Sequence, residues 1–132
     1  MTSDLNRLLL DVMELAREAG RTILEVYASS FTVAEKEDRS PLTEADLRSE
    51  KLILAGLKRL APEIPVLSEE TGQVPWNRRR EWSRLWVVDP LDGTKEFVQR
   101  NGEFTVNIAL VDHHRAVLGV VHAPVLERTY YA

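Results

Sequence analysis

The chain has 132 residues, 44% of them hydrophobic, a formal net charge of −4 and no cysteine. That length and composition suffice for one hydrophobic core, and the absence of thiols excludes disulfides and thiolate metal sites. The acidic balance argues against binding long nucleic acid, which needs a basic footprint, but not against a small nucleotide held through metal ions.

Leu5, Leu8, Leu9, Val12, Leu15, Ala16, Ala19, Ile23 and Val26 recur at helical spacing and predict an amphipathic helix over residues 4–28. Gly20 weakens it slightly. Residues 1–10 lack a basic n-region and a continuous apolar stretch, so they do not read as a signal peptide. Nothing in the chain approaches a membrane span, and the expected location is cytoplasmic. Residues 29–43, with Glu35-Lys36-Glu37-Asp38-Arg39, read as a polar hairpin or loop. A second helix is predicted over residues 44–60, ending before Pro62. Its opening segment is Ser40-Pro41-Leu42-Thr43-Glu44-Ala45-Asp46. Thr43 is expected as N-cap and Asp46 at the third helical position, a variant of the capping box. An acid in a first helical turn is favourable by dipole alone, so Asp46 has a purely local explanation too.

Residues 64–68 read as a short buried strand running into Glu69 and Glu70. Adjacent residues at a strand end point in opposite directions, so only one of the pair reaches an inner site. Residues 73–84 form a loop with one helical turn, in which Arg78-Arg79-Arg80 reads as a solvated charge run. The apolar strand Leu85-Trp86-Val87-Val88 is expected to stop at Asp89, where Pro90 turns the backbone. A second carboxylate follows at Asp92, and Gly93-Thr94 leads into a helical turn. Strands are then predicted at 104–111, 117–123 and 126–131, joined by turns at Asp112-His113-His114-Arg115 and Pro124-Val125 as an antiparallel meander. His113 and His114 belong to a surface turn, whereas His122 and Trp86, in apolar strands, read as core. The fold class is therefore α+β, two long helices packed on an antiparallel sheet.

The chemistry concentrates in Asp89-Pro90-Leu91-Asp92-Gly93-Thr94. Hard divalent cations want oxygen ligands, and phosphate wants backbone N–H donors at a helix start. One strand–loop–helix junction offers both. Two acids three residues apart, with Leu91 where an aspartyl nucleophile would stand, exclude a covalent aspartyl-phosphate route. That spacing suits carboxylates sharing a cation site, with the Leu91 carbonyl as a further oxygen. A plain surface turn is the local alternative, since Asp, Pro and Gly are turn formers in their own right.

Thr43-Glu44-Ala45-Asp46, then Ser68-Glu69-Glu70, then the Asp89 to Thr94 motif resemble in letters, order and separation the inositol monophosphatase superfamily of lithium-sensitive, magnesium-dependent phosphatases. Lys95-Glu96-Phe97 and the run Arg100-Asn101-Gly102-Glu103-Phe104-Thr105-Val106-Asn107-Ile108-Ala109-Leu110 are similar to its CysQ-type 3′(2′),5′-bisphosphate nucleotidase branch. The resemblance implies a layered α/β/α/β/α fold and at least two Mg²⁺ ions. It implies Glu69, Asp89 and the Leu91 carbonyl as ligands of the first, and Asp89 and Asp92 as ligands of the second. Asp46 and Thr94 would orient and deprotonate the attacking water, and the N–H groups of Gly93 and Thr94 would hold the substrate phosphate. Glu70 is left as a solvated or supporting acid. The implied activity is hydrolysis of the 3′-phosphate of adenosine 3′,5′-bisphosphate, a by-product of sulfate assimilation.

Members of this family are about twice as long and complete the metal site with a distal aspartate in a Trp-Asp-x-Ala segment. Residues 1–132 thus read as the N-terminal, metal-binding half, with the C-terminal domain absent. Such a half is expected to bind Mg²⁺ weakly, to hydrolyse little and to self-associate through exposed sheet edge and apolar surface. An inositol or sugar phosphate phosphatase is the alternative activity. A folded but non-catalytic fragment with weak cation and anion binding is the alternative class.

Overall fold

The computed structural model describes residues 2–28, 41–68, 74–99 and 101–132. The predicted polar connection before the second helix, together with Glu69 and Glu70, lies largely or wholly outside them. Helix α1 spans Thr2–Ala28 and α2 spans Pro41–Leu60. Strand β1 (Val66–Leu67), the short helix α3 (Trp76–Arg79), strand β2 (Arg84–Asp92) and helix α4 (Thr94–Gln99) follow. Strands β3 (Thr105–Asp112), β4 (Arg115–Ala123) and β5 (Arg128–Tyr131) complete the sheet, whose spatial order is β1-β2-β3-β4-β5. The fold is α+β as expected, with one difference at the edge of the sheet. The pair β1 and β2 is parallel, while the other pairs are antiparallel. A parallel neighbour needs a crossover connection, and α3 lies between β1 and β2 in the chain.

The apolar stripe of α1 does what its spacing predicts. Val12, Leu15, Ala16, Ala19, Ile23 and Val26 are buried against α2 and the sheet, joined by Ile53 and Leu57 of α2. From the sheet, Trp86 and Val88, Val106, Ile108 and Leu110, and Leu118 and Val120 point into this same core. The opposite face of the sheet is partly exposed. Val87 lies in register with Ala109, and Ala109 with Gly119, so Val117 and Val121 share that face, each about two-fifths exposed.

Helix α2 begins at Pro41, earlier than predicted, so Thr43 is inside the first turn and is not the N-cap. Proline is favoured at a first helical position, where its missing N–H would have no helical partner. Asp46 consequently moves into the second turn. The acid of the first turn is Glu44, which accepts a hydrogen bond from Arg48 Nε at 2.8 Å. The dipole effect fades beyond the first turn, so the local explanation for Asp46 weakens.

The helices meet at Gly56. A Cβ there would overlap Leu15 Cδ1 and stand 2.8 Å from Leu15 Cδ2, and Leu15 is buried. Gly56→Ala gains about 1 kcal/mol of helix propensity but overpacks a closed seam at about 1–3 kcal/mol or more. We expect a lower midpoint of thermal unfolding, restored in part by pairing it with Leu15→Ala. A higher midpoint for Gly56→Ala alone would show that the helices can separate freely at this point.

The turn between β3 and β4 has positive φ at both central residues, 49° at His113 and 69° at His114, as a tight hairpin demands. The two histidines are exposed surface, as predicted. The next connection is longer than expected, and β5 starts at Arg128 after a turn closed by Glu127 at φ 53°. His122 is a core residue. Its Nδ1 is 2.9 Å from Thr129 Oγ1, and Gly20 of α1 comes so close that a Cβ would lie 2.8 Å from its Cδ2. Burial, reinforced by the positive charge of Arg17, pushes the pKa of His122 below its usual 6.5. The unfolded chain therefore takes up this proton more readily than the folded one as pH falls through that value. Stability linked to His122 is present above pH 6.5 and is lost below it. The slope of unfolding midpoint against pH on the acid side should be shallower in His122→Gln. Equal slopes would mean that the imidazole titrates alike in both states.

Candidate active site

In a regular strand, residues three apart point to opposite faces, so Asp89 and Asp92 could not share a site if β2 were regular. The strand does not stop at Asp89, as the sequence had suggested, but continues to Asp92 through a bulge. Asp89 lies opposite Asn107 and Asp92 opposite Thr105, so three steps along β2 match two along β3. The extra residue places Pro90 and Leu91 consecutively in the core and leaves the flanking acids exposed. Asn107 and Thr105 are two apart on the outward face of β3, and the acids sit on that face beside them. Bulges commonly re-aim side chains in this way next to active sites.

Several hydrogen bonds fix the arrangement. The Leu91 N–H donates to Asp89 Oδ1 at 3.3 Å. Asn107 Nδ2 donates to Asp92 Oδ2 at 3.4 Å, and Thr105 Oγ1 donates to Asn107 Oδ1 at 3.4 Å. Gly93, directly after the bulge, has φ 93°, and a Cβ there would stand 3.2 Å from the Glu103 carbonyl oxygen and from Phe104 Cα. Only glycine combines that dihedral with that approach at low cost. Thr94 then opens α4, whose buried residue, Phe97, packs in a cluster of rings with Tyr27 and Phe104 at centroid distances of 5.4 and 5.3 Å.

Helix α2 approaches from the core side and touches both β2 and α4. Its row Ala45, Ser49, Ile53, Leu57 is buried throughout. Ser49 Oγ donates to the Pro90 carbonyl at 2.8 Å, and the neighbouring Glu50, also buried, accepts a hydrogen bond from Ser68 Oγ at the end of β1. Asp46, half-buried, is one turn before Glu50 on the same helix face. Sequence reasoning passed over Ser49, Glu50 and Asn107. A signal existed for the first two, because polar residues on a core-facing helical row need buried partners.

Of the residues expected from the sequence, Asp89, Leu91, Asp92, Gly93 and Thr94 form one continuous corner of the fold. Glu69 lies outside the described residues, directly after Ser68 in the chain. Among the described residues no group of three or more His, Cys, Asp and Glu side chains is close enough to hold a metal ion. The donors present are nonetheless of the right kind. Two exposed carboxylates on one face fit a hard divalent cation and offer nothing to a soft one. Arg78 and Arg80 are exposed as predicted, whereas Arg79 is half-buried with its guanidinium 5.7 Å from the Trp76 ring centroid. No helix of the described residues is long and apolar enough to cross a membrane.

A helix-backed sheet whose bulged strand end presents two acids before a Gly-Thr helix start defines a class, and the chain belongs to the inositol monophosphatase family, whose profile matches residues 4–132. The chain is 55% identical over 127 residues to the 3′(2′),5′-bisphosphate nucleotidase CysQ of Salmonella typhimurium, covering 95% of this chain and 51% of that protein. Among solved structures it resembles CysQ from Bacteroides thetaiotaomicron, with TM-score 0.85, 46% identity and coverage of 96% of this chain and 45% of that one. It also resembles an inositol monophosphatase from Anabaena, with TM-score 0.76, 25% identity and coverage of 99% and 43%. The chain spans about half the length of the curated relatives it matches.

Proposed function

We propose that these residues form the metal-binding part of a Mg²⁺-dependent 3′(2′),5′-bisphosphate nucleotidase that removes the 3′-phosphate of adenosine 3′,5′-bisphosphate. The observation that carries the reading is the β2 bulge, which turns Asp89 and Asp92 to one exposed face. The preference for a nucleotide over an inositol phosphate follows the 55% identity to a CysQ nucleotidase, against 25% to the Anabaena inositol monophosphatase.

In this reading Glu69, Asp89 and the Leu91 carbonyl would hold one Mg²⁺, and Asp89 with Asp92 would hold a second. Such ions, when bound, neutralise phosphate charge and make water nucleophilic near neutral pH. Asp46 and the Thr94 hydroxyl orient the attacking water, and Asp46 accepts its proton. The N–H groups of Gly93 and Thr94 hold the phosphate oxygens. The water oxygen bonds to phosphorus, the bond from phosphorus to O3′ breaks, O3′ takes a proton from solvent water, and the products are inorganic phosphate and the 5′-monophosphate nucleotide.

The test joins these 132 residues to the second half of the Salmonella typhimurium CysQ and measures phosphate release with Mg²⁺. Adenosine 3′,5′-bisphosphate should be turned over and inositol 1-phosphate poorly. The reverse preference would move the assignment to an inositol phosphatase. A folded chimera inactive on both would leave a binding fragment as the reading.

A further inference from the structure

A bulge leaves its extra residue without a ladder partner, and a buried carbonyl without a hydrogen bond is costly. In β2 the bulge lies between Asp89 and Asp92, so Pro90 and Leu91 are the residues concerned. Pro90 is fully buried and has no N–H of its own, so its carbonyl is the polar group it brings into the core. Ser49 satisfies that carbonyl at 2.8 Å, and Ser49 is itself fully buried. The next residue on the helix, Glu50, holds Ser68 at the end of β1. Since β1 and β2 run parallel, both strands end on the same side of the sheet, beside α2. Two consecutive side chains of one helix thus grip the C-terminal ends of two neighbouring strands.

We infer that Ser49 and Glu50 are positioning residues that lock the bulge from the core side and so set the direction of Asp89 and Asp92 on the outer face. Ser49 Oγ and Glu50 Oε1 bond to the Pro90 carbonyl and to Ser68 Oγ, so both act through the strand ends. The functional consequence rests on the metal-site reading above, whereas the clamp itself does not. An apolar side chain at position 49 would bury the Pro90 carbonyl unpaired, and the strand could regain a partner only by shifting register. A one-residue shift would send one of the two acids to the other face.

The experiment compares the unaltered chain with Ser49→Ala, Glu50→Ala and Glu50→Gln, well below their unfolding midpoints. Amide hydrogen exchange at Leu91, whose N–H is bonded to Asp89, reports on the bulge, and Leu118 and Val120 serve as remote references. Mn²⁺, added as the bare ion, broadens the amides near its site and yields a dissociation constant. Ser49→Ala and Glu50→Ala should speed exchange at Leu91 about tenfold relative to the references, the scale of one lost hydrogen bond. They should also weaken Mn²⁺ binding at residues 89–94 roughly five- to tenfold through the displaced carboxylates. Glu50→Gln keeps an acceptor for Ser68 and should stay within twofold of the unaltered chain on both measures. Variants that lower the midpoint while leaving Leu91 exchange and Mn²⁺ affinity unchanged would overturn the inference and make the pair ordinary core. If Mn²⁺ broadens no amide of residues 89–94 in the unaltered chain, the metal reading falls, and the exchange measurement still decides the clamp.

Discussion

Asp89→Asn is expected to lower Mg²⁺-dependent turnover of the chimeric nucleotidase by about three orders of magnitude, or roughly 4 kcal/mol in the barrier. The substitution isolates charge from shape. Asparagine keeps an oxygen able to accept the Leu91 N–H, now 3.3 Å from Asp89 Oδ1, so the bulge and its register should survive. Asp89 is exposed, so its replacement should move the unfolding midpoint little. What disappears is the carboxylate proposed to touch both cations. Asp92→Asn should be milder, about tenfold, and recoverable at higher Mg²⁺, because only one proposed cation depends on it. Phosphate release measured across a range of Mg²⁺ concentrations separates the two. Near-normal hydrolysis by Asp89→Asn at ordinary Mg²⁺ would end the bridging role.

Phe97→Ala should cost the most stability, about 3–5 kcal/mol for a large buried ring, or a fall of about 10–15 °C in the midpoint for a domain of this size. Phe97 is fully buried and is the residue through which the short helix α4 enters the core. Tyr27 from α1 and Phe104 from the segment before β3 enclose it, their own centroids 5.1 Å apart. A six-residue helix has little stability of its own, so its place after Gly93 depends on this ring. The damage should therefore reach the candidate site as well as the core. Phe97→Leu, which keeps most of the apolar volume, should lose much less, about 1–1.5 kcal/mol. Thermal unfolding followed by circular dichroism checks both. A midpoint shift of only a few degrees for Phe97→Ala would mean that α4 is held by something other than the ring cluster.

Local periodicity and spacing by themselves determined much of this protein. The stripe from Leu5 to Val26 specified α1 and its buried face, because a helix with one apolar side has only one way to turn it from water. The meander of β3, β4 and β5, the His113-His114 turn and the core place of Trp86 and His122 were legible for the same reason. The acidic motif was legible as chemistry, and the family resemblance it carries agrees with the family match over residues 4–132. The tertiary structure decided the rest. Only pairing with β3 carries β2 beyond Asp89 and makes the bulge, since register is a property of two strands. Only the approach of α2 turns Ser49 and Glu50 from odd polar residues on an apolar row into partners of Pro90 and Ser68. The parallel pairing of β1 likewise depends on a neighbour distant in sequence. A sequence announces which groups must be buried or satisfied. Which partner satisfies them is settled when distant segments meet.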